Sequence, residues 1–276
     1  GCHNTAYGTL SLRNNETAGY NTAIGSCSLF GNTTGANNTA IGFCALESNT
    51  TGDTNVAVGN YGLTANTTGY RNNAFGHRAM YSNTTGILNS GIGMYALALN
   101  TTGNNNTASG NYALYANTTG CLNTALGRNA LKSNTTACSN TSVGYSALCG
   151  NTTGANNTAT GDRALRSNTT GKFNTATGNR TLCLNTTGCC NTASGAYALA
   201  QNTTSSHNTA HGYTALYLNT TGADNTAVGM CSLGKNTTAS YNTAVGACSL
   251  YANTTGASLV AVGYNALKSS TCANCS

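Results

Sequence analysis

The apolar and polar positions of this chain repeat with a period of 17 residues. A glycine recurs at that interval sixteen times, from Gly8 to Gly263, without insertion or deletion. Around it stands the phrase Asn-Thr-Ala-x-Gly-x-x-Ala-Leu-x-x-Asn-Thr-Thr-Gly-x-x. A strict short period indicates one small unit that buries its apolar residues only against copies of itself. Catalytic domains need unlike residues converging on one point, so this pattern is not typical of them.

Counting from each of these glycines as position 0, two further columns are nearly uniform and apolar. Position +4 is Leu in fifteen units and Met in one, and position −2 is Ala in fourteen. The +4 column predicts a core ladder, which includes Leu29, Leu46, Leu63, Met80, Leu97 and Leu114.

The stretch from −4 to 0 alternates small or β-branched residues and is too short for a helix. Glycine and asparagine corners would break a helix in every unit. The sequence therefore predicts an all-β fold, a parallel β-solenoid or β-roll of sixteen 17-residue coils, each pairing with the coils before and after it. Position 0 fits a corner that needs positive φ or close backbone approach.

Sixteen such units fill almost the whole chain of 276 residues, so residues 1–276 are predicted to form a single solenoid domain with uncapped ends. Uncapped solenoid ends expose strand edges, which favour association. The hypothesis is therefore a segment of a longer rod, or subunits that stack end to end.

Composition narrows the function classes. Charged residues make up only 6% of the chain, and the net charge of +6 comes from scattered basic residues. That is too sparse for a stripe that follows phosphates, so nucleic acid is not an expected partner. No run of about 20 apolar residues occurs, so no membrane span is predicted. Thirteen cysteines favour an oxidising, extracellular or surface location.

Two asparagine columns have alternative interpretations. Position −4 is Asn in fifteen units, which favours a ladder of stacked amides. Position +7 is also Asn in fifteen units, and each of these begins an Asn-x-Thr sequon. It indicates either the same kind of ladder or N-glycosylation of some sites. The +7 column consists of Asn15, Asn32, Asn49, Asn66, Asn83, Asn100, Asn117, Asn134, Asn151, Asn168, Asn185, Asn202, Asn219, Asn236 and Asn253.

Cysteines stand only at variable positions, and three pairs share a column in adjacent coils. Stacked neighbours lie about 4.8 Å apart, within reach of a disulfide. The predicted pairs are Cys27 with Cys44, Cys121 with Cys138, and Cys231 with Cys248. Because the total is odd, at least one cysteine is left over, and Cys2, Cys272 and Cys275 are candidates for cross-links between subunits. The pairing of Cys149, Cys183, Cys189 and Cys190 stays open.

The remaining chemistry-bearing residues form no recognisable constellation. Histidines and acidic residues are few and scattered along the chain, so no catalytic residues, cofactor or metal site are predicted, and the chain is expected not to be an enzyme. Tyrosines cluster at +2 and +5. They are either tolerated outward residues or an aromatic face for another rod or a ligand. The clustered tyrosines are Tyr61, Tyr95, Tyr112 and Tyr197 at +2, and Tyr81, Tyr115, Tyr217 and Tyr251 at +5.

The phrase Asn21-Thr22-Ala23-Ile24-Gly25 resembles the head repeats of trimeric autotransporter adhesins, the YadA-like or haemagglutinin-repeat family, and related phage and viral tail-fibre repeats. The resemblance covers all sixteen units, over five to nine residues of each. It implies a left-handed parallel β-roll, usually a homotrimer, displayed at a surface for attachment. The 17-residue unit, the Leu column and the cysteines depart from that family.

Three functions follow as hypotheses. The first is a non-enzymatic structural protein that forms an extracellular or surface fibre, with other copies of itself as partners. The second is an adhesin or tail-fibre segment that binds a host glycan or protein through its variable columns. The third is an ice-binding solenoid. It is less favoured because the two Thr of each Asn-Thr-Thr corner point to opposite sides and so form no flat row of threonines.

Overall fold

A computed structural model describes residues 1–271 of the chain. Contacts between residues group the chain into two units, Gly1–Ser139 (unit 1) and Asn140–Ser276 (unit 2). The predicted fold class is confirmed: the described residues form parallel strands that recur every 17 residues, with no helix. None of the described segments is therefore a helix that could cross a membrane.

Unit 1 contains one three-residue strand in each coil, and each strand pairs in parallel with the next. The strands of this unit are β1 (Thr5–Tyr7), β2 (Thr22–Ile24), β3 (Thr39–Ile41), β4 (Val56–Val58), β5 (Asn73–Phe75), β6 (Ser90–Ile92), β7 (Thr107–Ser109) and β8 (Thr124–Leu126). The register is one coil: Thr5 lies opposite Thr22, and Ala23 opposite Ala40.

Unit 2 repeats this arrangement, again with parallel strands paired in chain order. Its described strands are β9 (Thr141–Val143), β10 (Thr158–Thr160), β11 (Thr175–Thr177), β12 (Thr192–Ser194), β13 (Thr209–His211), β14 (Thr226–Val228), β15 (Thr243–Val245) and β16 (Val260–Val262). Thr158 lies opposite Thr175, so the 17-residue register is the same.

The core of each coil is narrow and is built from the uniform columns. In the strands from β2 to β16 the middle residue, at −2, is buried. The +4 residues Leu29, Leu46, Leu63, Met80, Leu97 and Leu114 are fully buried. Burial of one leucine side chain contributes roughly 1.5–3 kcal/mol, so the +4 column is a main apolar contribution to stacking.

The corners combine glycine with unusual non-glycine conformations. Each described glycine at position 0 has a φ between 124° and 136°, as the sequence analysis expected for this corner. A Cβ at Gly25 would also lie 2.5 Å from the carbonyl oxygen of Gly42. In addition, the residues at +2, +4 and +12 are left-handed, with φ between 47° and 63°. Each such residue costs roughly 1–2 kcal/mol, which the bonds between coils must offset.

Backbone hydrogen bonds run from coil to coil as well as within the strands. Thr22 N donates to Asn38 O at 2.8 Å, and Leu29 N donates to Ala45 O at 3.0 Å. The left-handed corner residue Cys44 also donates its N–H to Ser26 O, at 3.0 Å. The corners are thus held by the same ladder that pairs the strands, which explains how the chain maintains three disfavoured conformations in each coil.

Candidate functional site

The −4 asparagines hydrogen-bond the backbone of two coils. Oδ1 of Asn21 accepts from the N–H of Asn38 in the next coil at 2.9 Å. Its Nδ2 donates to the carbonyl oxygen of Gly35 in its own coil at 2.9 Å. The side chain is fully buried. This column therefore satisfies corner backbone groups, and no other chemistry is needed to explain it.

The +7 asparagines are bonded to one another. Nδ2 of Asn49 donates both to Oδ1 of Asn32 at 2.8 Å and to Gly52 O at 3.0 Å. From Asn32 to Asn253 the residues of this column are fully buried, whereas Asn15 is half-buried. An N-linked sugar would replace one of the two donated hydrogens and would need space beside Nδ2 that a folded coil does not provide. The geometry favours the ladder over glycans at these buried positions, and both alternatives stay predictions for the column, glycosylation being least hindered at Asn15.

In each of the three predicted cysteine pairs, the two residues lie in adjacent coils of the same unit; the first two pairs are in unit 1 and the third is in unit 2. Sγ of Cys27 and Sγ of Cys44 are within 4.8 Å of each other. The N–H of Cys121 donates to Sγ of Cys138 at 3.1 Å. In the third pair, Sγ of Cys231 lies 3.1 Å from Oγ1 of Thr214. Disulfides at all three pairs stay predictions.

The candidates for cross-links between subunits are placed only in part. Cys2 is exposed. Cys272 and Cys275 lie outside the described residues.

The tyrosines at +2 and +5 share one side of the coils, which we name the Tyr/Arg face. In unit 1 it includes Tyr61, Arg78, Tyr81, Tyr95 and Tyr112. The rings of Tyr95 and Tyr112 stack with centroids 5.2 Å apart. The guanidinium of Arg78 lies over three rings, 5.5 Å from the centroids of Tyr61 and Tyr81 and 5.9 Å from that of Tyr95. Such contacts contribute roughly 0.5–1 kcal/mol each at exposed sites.

In unit 2 the Tyr/Arg face forms a groove of about 380 Å³ that contains three arginines. Its lining comprises Arg163, Arg166, Arg180, Cys183, Leu184, Tyr197, Ala200, Gln201 and Tyr217. The guanidinium of Arg180 lies 5.9 Å from the ring centroid of Tyr197. Arg163 is 3.7 Å from the carboxylate of Asp162. The groove thus combines excess positive charge with two aromatic walls.

Cys183 lines this groove, and the pKa of its thiol depends on burial and on the surrounding charges. Burial raises the pKa of the Cys183 thiol, while the charges of Arg166, Arg180 and Arg163 act in the opposite direction and lower it. Desolvation is the larger effect because the thiolate loses its hydration in the groove. Among the described residues, the three arginines of the groove outnumber the one carboxylate beside them, that of Asp162, so the groove carries a net positive charge that would attract an anionic group.

A second cluster lies in unit 1, where Glu47 joins Cys27 and Cys44. Their two Sγ atoms and one carboxylate oxygen all lie within 4.8 Å of one another. Burial, with smaller contributions from the nearby Glu47 carboxylate and the Cys27 thiol, raises the pKa of the Cys44 thiol to about 12. Cys44 is buried, and the other two are half-buried.

Sequence reasoning identified the tyrosine columns and the Cys27–Cys44 pair, but it missed both clusters. The sequence did contain a signal for them. Positions +2 and +5 lie on one side of each coil, so residues of these two columns lie close together. Arg166 at +5 meets Arg163 at +2 of the same coil, and Glu47 at +5 meets Cys44 at +2. Reading each column separately concealed these neighbours.

No family model and no curated sequence matches the chain.

Proposed function

We propose that this chain is a non-enzymatic structural protein that forms part of an extracellular or surface fibre. The observation that carries the proposal is the use of the near-uniform columns. The −4 and +7 asparagines hydrogen-bond one coil to the next, and +4 leucines such as Leu29 and Leu97 are fully buried between them. Repeats stabilised by nearest-neighbour interfaces suit extended assemblies, because each added coil contributes the same interface. Thirteen cysteines support a location outside the cytosol.

Electron microscopy and sedimentation of the purified chain at rising concentration test this proposal. The expected result is elongated end-to-end assemblies at high concentration. Strand β1 is exposed at all three residues, so a charge there should block pairing with another copy. Ala6→Lys should therefore stop assembly, whereas Thr9→Lys, a charge at an exposed corner position, should not. Discrete particles at every concentration, or equal assembly of both variants, would contradict the proposal.

A second candidate function is attachment, and the arginine groove of unit 2 favours it. Guanidinium groups bind carboxylates and sulfates through paired, charge-assisted hydrogen bonds, and aromatic rings pack against sugar rings. The ligand class that fits is an acidic saccharide. The resemblance of the Asn-Thr-Ala-x-Gly phrase to adhesin head repeats supports the same function.

Binding of a sulfated oligosaccharide, measured by calorimetry against a neutral oligosaccharide of equal length, tests this second function. The expected result is binding of the sulfated form only, weakened at least about tenfold by Arg166→Gln with Arg180→Gln, because charged hydrogen bonds contribute about 1.5–3 kcal/mol each. Arg71→Gln in unit 1 is the matched control and should leave binding unchanged. Equal binding of both oligosaccharides would exclude charge recognition.

A further inference from the structure

We propose that Cys27, Cys44 and Glu47 form a binding site for one thiophilic divalent cation such as Zn²⁺. The site requires both thiols in the reduced state, so it is an alternative to the Cys27–Cys44 disulfide, and it does not depend on the fibre or attachment functions. It joins two adjacent coils of unit 1, because Cys27 and Cys44 occupy position +2 of successive coils and Glu47 is three residues after Cys44.

The distances between the three ligand groups fit one ion. The two sulfurs and one carboxylate oxygen lie within 4.8 Å of one another. Tetrahedral coordination with Zn–S bonds of about 2.3 Å places two bound sulfurs about 3.8 Å apart. Small rotations of the side chains are therefore enough to bring all three ligand atoms into the coordination sphere of one ion.

The backbone that carries the two cysteines is held in place by hydrogen bonds between coils. Cys27 and Cys44 are both left-handed, with φ of 59° and 51°. The N–H of Cys27 donates to Thr9 O at 2.9 Å, and the N–H of Cys44 donates to Ser26 O at 3.0 Å. Bonds between coils thus fix both cysteine Cα positions before any ion arrives, which reduces the ordering cost of binding.

The three ligand groups also suit a cation by their charge. Each of them is anionic when deprotonated, and their ligand atoms are held within 4.8 Å of one another, where like charges repel. A divalent cation removes this repulsion. Binding replaces two S–H bonds with two metal–sulfur bonds and releases two protons to solvent, with no electron transferred. Three protein ligands leave a fourth position for water or a small ligand.

The chain contains its own control. In unit 2, Cys231 and Cys248 also occupy +2 of successive coils, but the residue three positions after Cys248 is Tyr251. Among the described residues, the Cys27, Cys44 and Glu47 group is the one whose ligand atoms lie close enough to hold a metal ion. Cys231 and Cys248 occupy the same column as Cys27 and Cys44 but have no carboxylate at this position, so a comparison of the two pairs separates the effect of Glu47 from that of stacked thiols.

The experiment is a titration of the reduced full-length chain with Co²⁺ under anaerobic conditions, followed by displacement with Zn²⁺. The expected signal is the visible absorption of tetrahedral, thiolate-bound Co²⁺. It should be lost in Cys27→Ser with Cys44→Ser and unchanged in Cys231→Ser with Cys248→Ser. Glu47→Gln should weaken binding at least about tenfold, since even outer-shell changes at metal sites cost 10–100-fold. Serine occupies +2 naturally at Ser146, so these variants are expected to fold, which circular dichroism checks.

A second readout locates the ion. Zn²⁺ should protect Cys27 and Cys44 from alkylation by N-ethylmaleimide, measured by peptide mass spectrometry, and should not protect Cys231 and Cys248. Equal Co²⁺ signals in the wild type and the Cys27, Cys44 variant overturn the proposal. So does a Glu47→Gln variant with unchanged affinity, which would reduce the site to a simple thiol pair.

Discussion

Asn100, near the middle of unit 1, gives the sharpest test of the +7 ladder. Its side chain is fully buried. Nδ2 donates to Asn83 Oδ1 at 2.8 Å and to Gly103 O at 3.0 Å, while Oδ1 accepts from Asn117 Nδ2 at 2.8 Å. Substitution Asn100→Ala removes all three hydrogen bonds at once.

The expected loss of stability follows from the buried polar groups that Asn100→Ala leaves without a partner. Gly103 O keeps a second donor, Nδ2 of Asn89, at 2.8 Å. Oδ1 of Asn83 and one hydrogen of Asn117 Nδ2 lose the partner that Asn100 gave them. A buried polar group without a partner costs roughly 1–3 kcal/mol, so two of them predict a loss of roughly 2–6 kcal/mol in the free energy of unfolding.

Urea unfolding followed by circular dichroism measures this loss as a lower midpoint. The matched control is Asn14→Ala: Asn14 is exposed, and its position +6 holds alanine in other coils, for example Ala65 and Ala116. The control should change stability by no more than about 0.5 kcal/mol. If Asn100→Ala were equally mild, the ladder would not be a stabilising element, and stacking would not explain the near-uniform asparagine column.

Four further predictions use the same structure. Leu97→Ala should lower the free energy of unfolding, measured in urea, by roughly 2–5 kcal/mol, because Leu97 is fully buried. Leu99→Ala should be nearly neutral, because Leu99 is 39% exposed. Equal losses would contradict the assigned core. Gly110→Ala should lower the free energy of unfolding by at least about 1–3 kcal/mol, because φ is 135° and a Cβ would lie 2.6 Å from the carbonyl of Gly127 in the next coil. An unchanged free energy of unfolding would contradict this corner geometry. Arg180→Gln should raise the pKa of Cys183, because a cation that favours the thiolate is removed, so the alkylation profile of Cys183 should move to higher pH; no movement would mean the arginine charge does not reach the thiol. If the chain is secreted from eukaryotic cells, glycosidase digestion should remove no sugar from the buried +7 column, and a mass loss there would support the glycan interpretation.

The fold could be predicted because its period determines most of it. A column that is Leu in fifteen of sixteen units, with Met80 in the other, has to be core, and an uninterrupted 17-residue spacing has to place like residues in register. Strand positions followed from the alternation around each glycine. These inferences depend on averages over sixteen units, so a deviation in one unit does not affect them.

The left-handed conformations at +2, +4 and +12 could not be predicted in the same way. Leucine at +4 with φ near 50° contradicts its local preference, since left-handed conformations are disfavoured for residues with a Cβ. Only the bonds between coils sustain this conformation, for example Leu97 N to Ala113 O at 3.0 Å. A single unit considered alone contains no signal of that bond, because the acceptor belongs to the next coil.

The candidate sites are the least predictable part because they occur once each. Arg163, Arg166 and Arg180 come from two coils and two columns, so no period reveals them. Their meeting depends on +2 and +5 sharing a side, which the sequence suggests only through tyrosines such as Tyr95 and Tyr115, whose ring centroids lie 6.2 Å apart.

The same stacking that holds the coils together also lets the sites vary. At +2 the backbone is left-handed with φ between 51° and 61°, whether the residue is Leu10, Cys44, Arg78, Tyr95 or Ser146. The conformation is therefore imposed by the coil and does not depend on the side chain. Function can consequently change at +2 and +5 without loss of the fold, since the buried columns are untouched. For the same reason, substitutions in these columns test the chemistry of the groove and of the cation site separately from the stability of the coils.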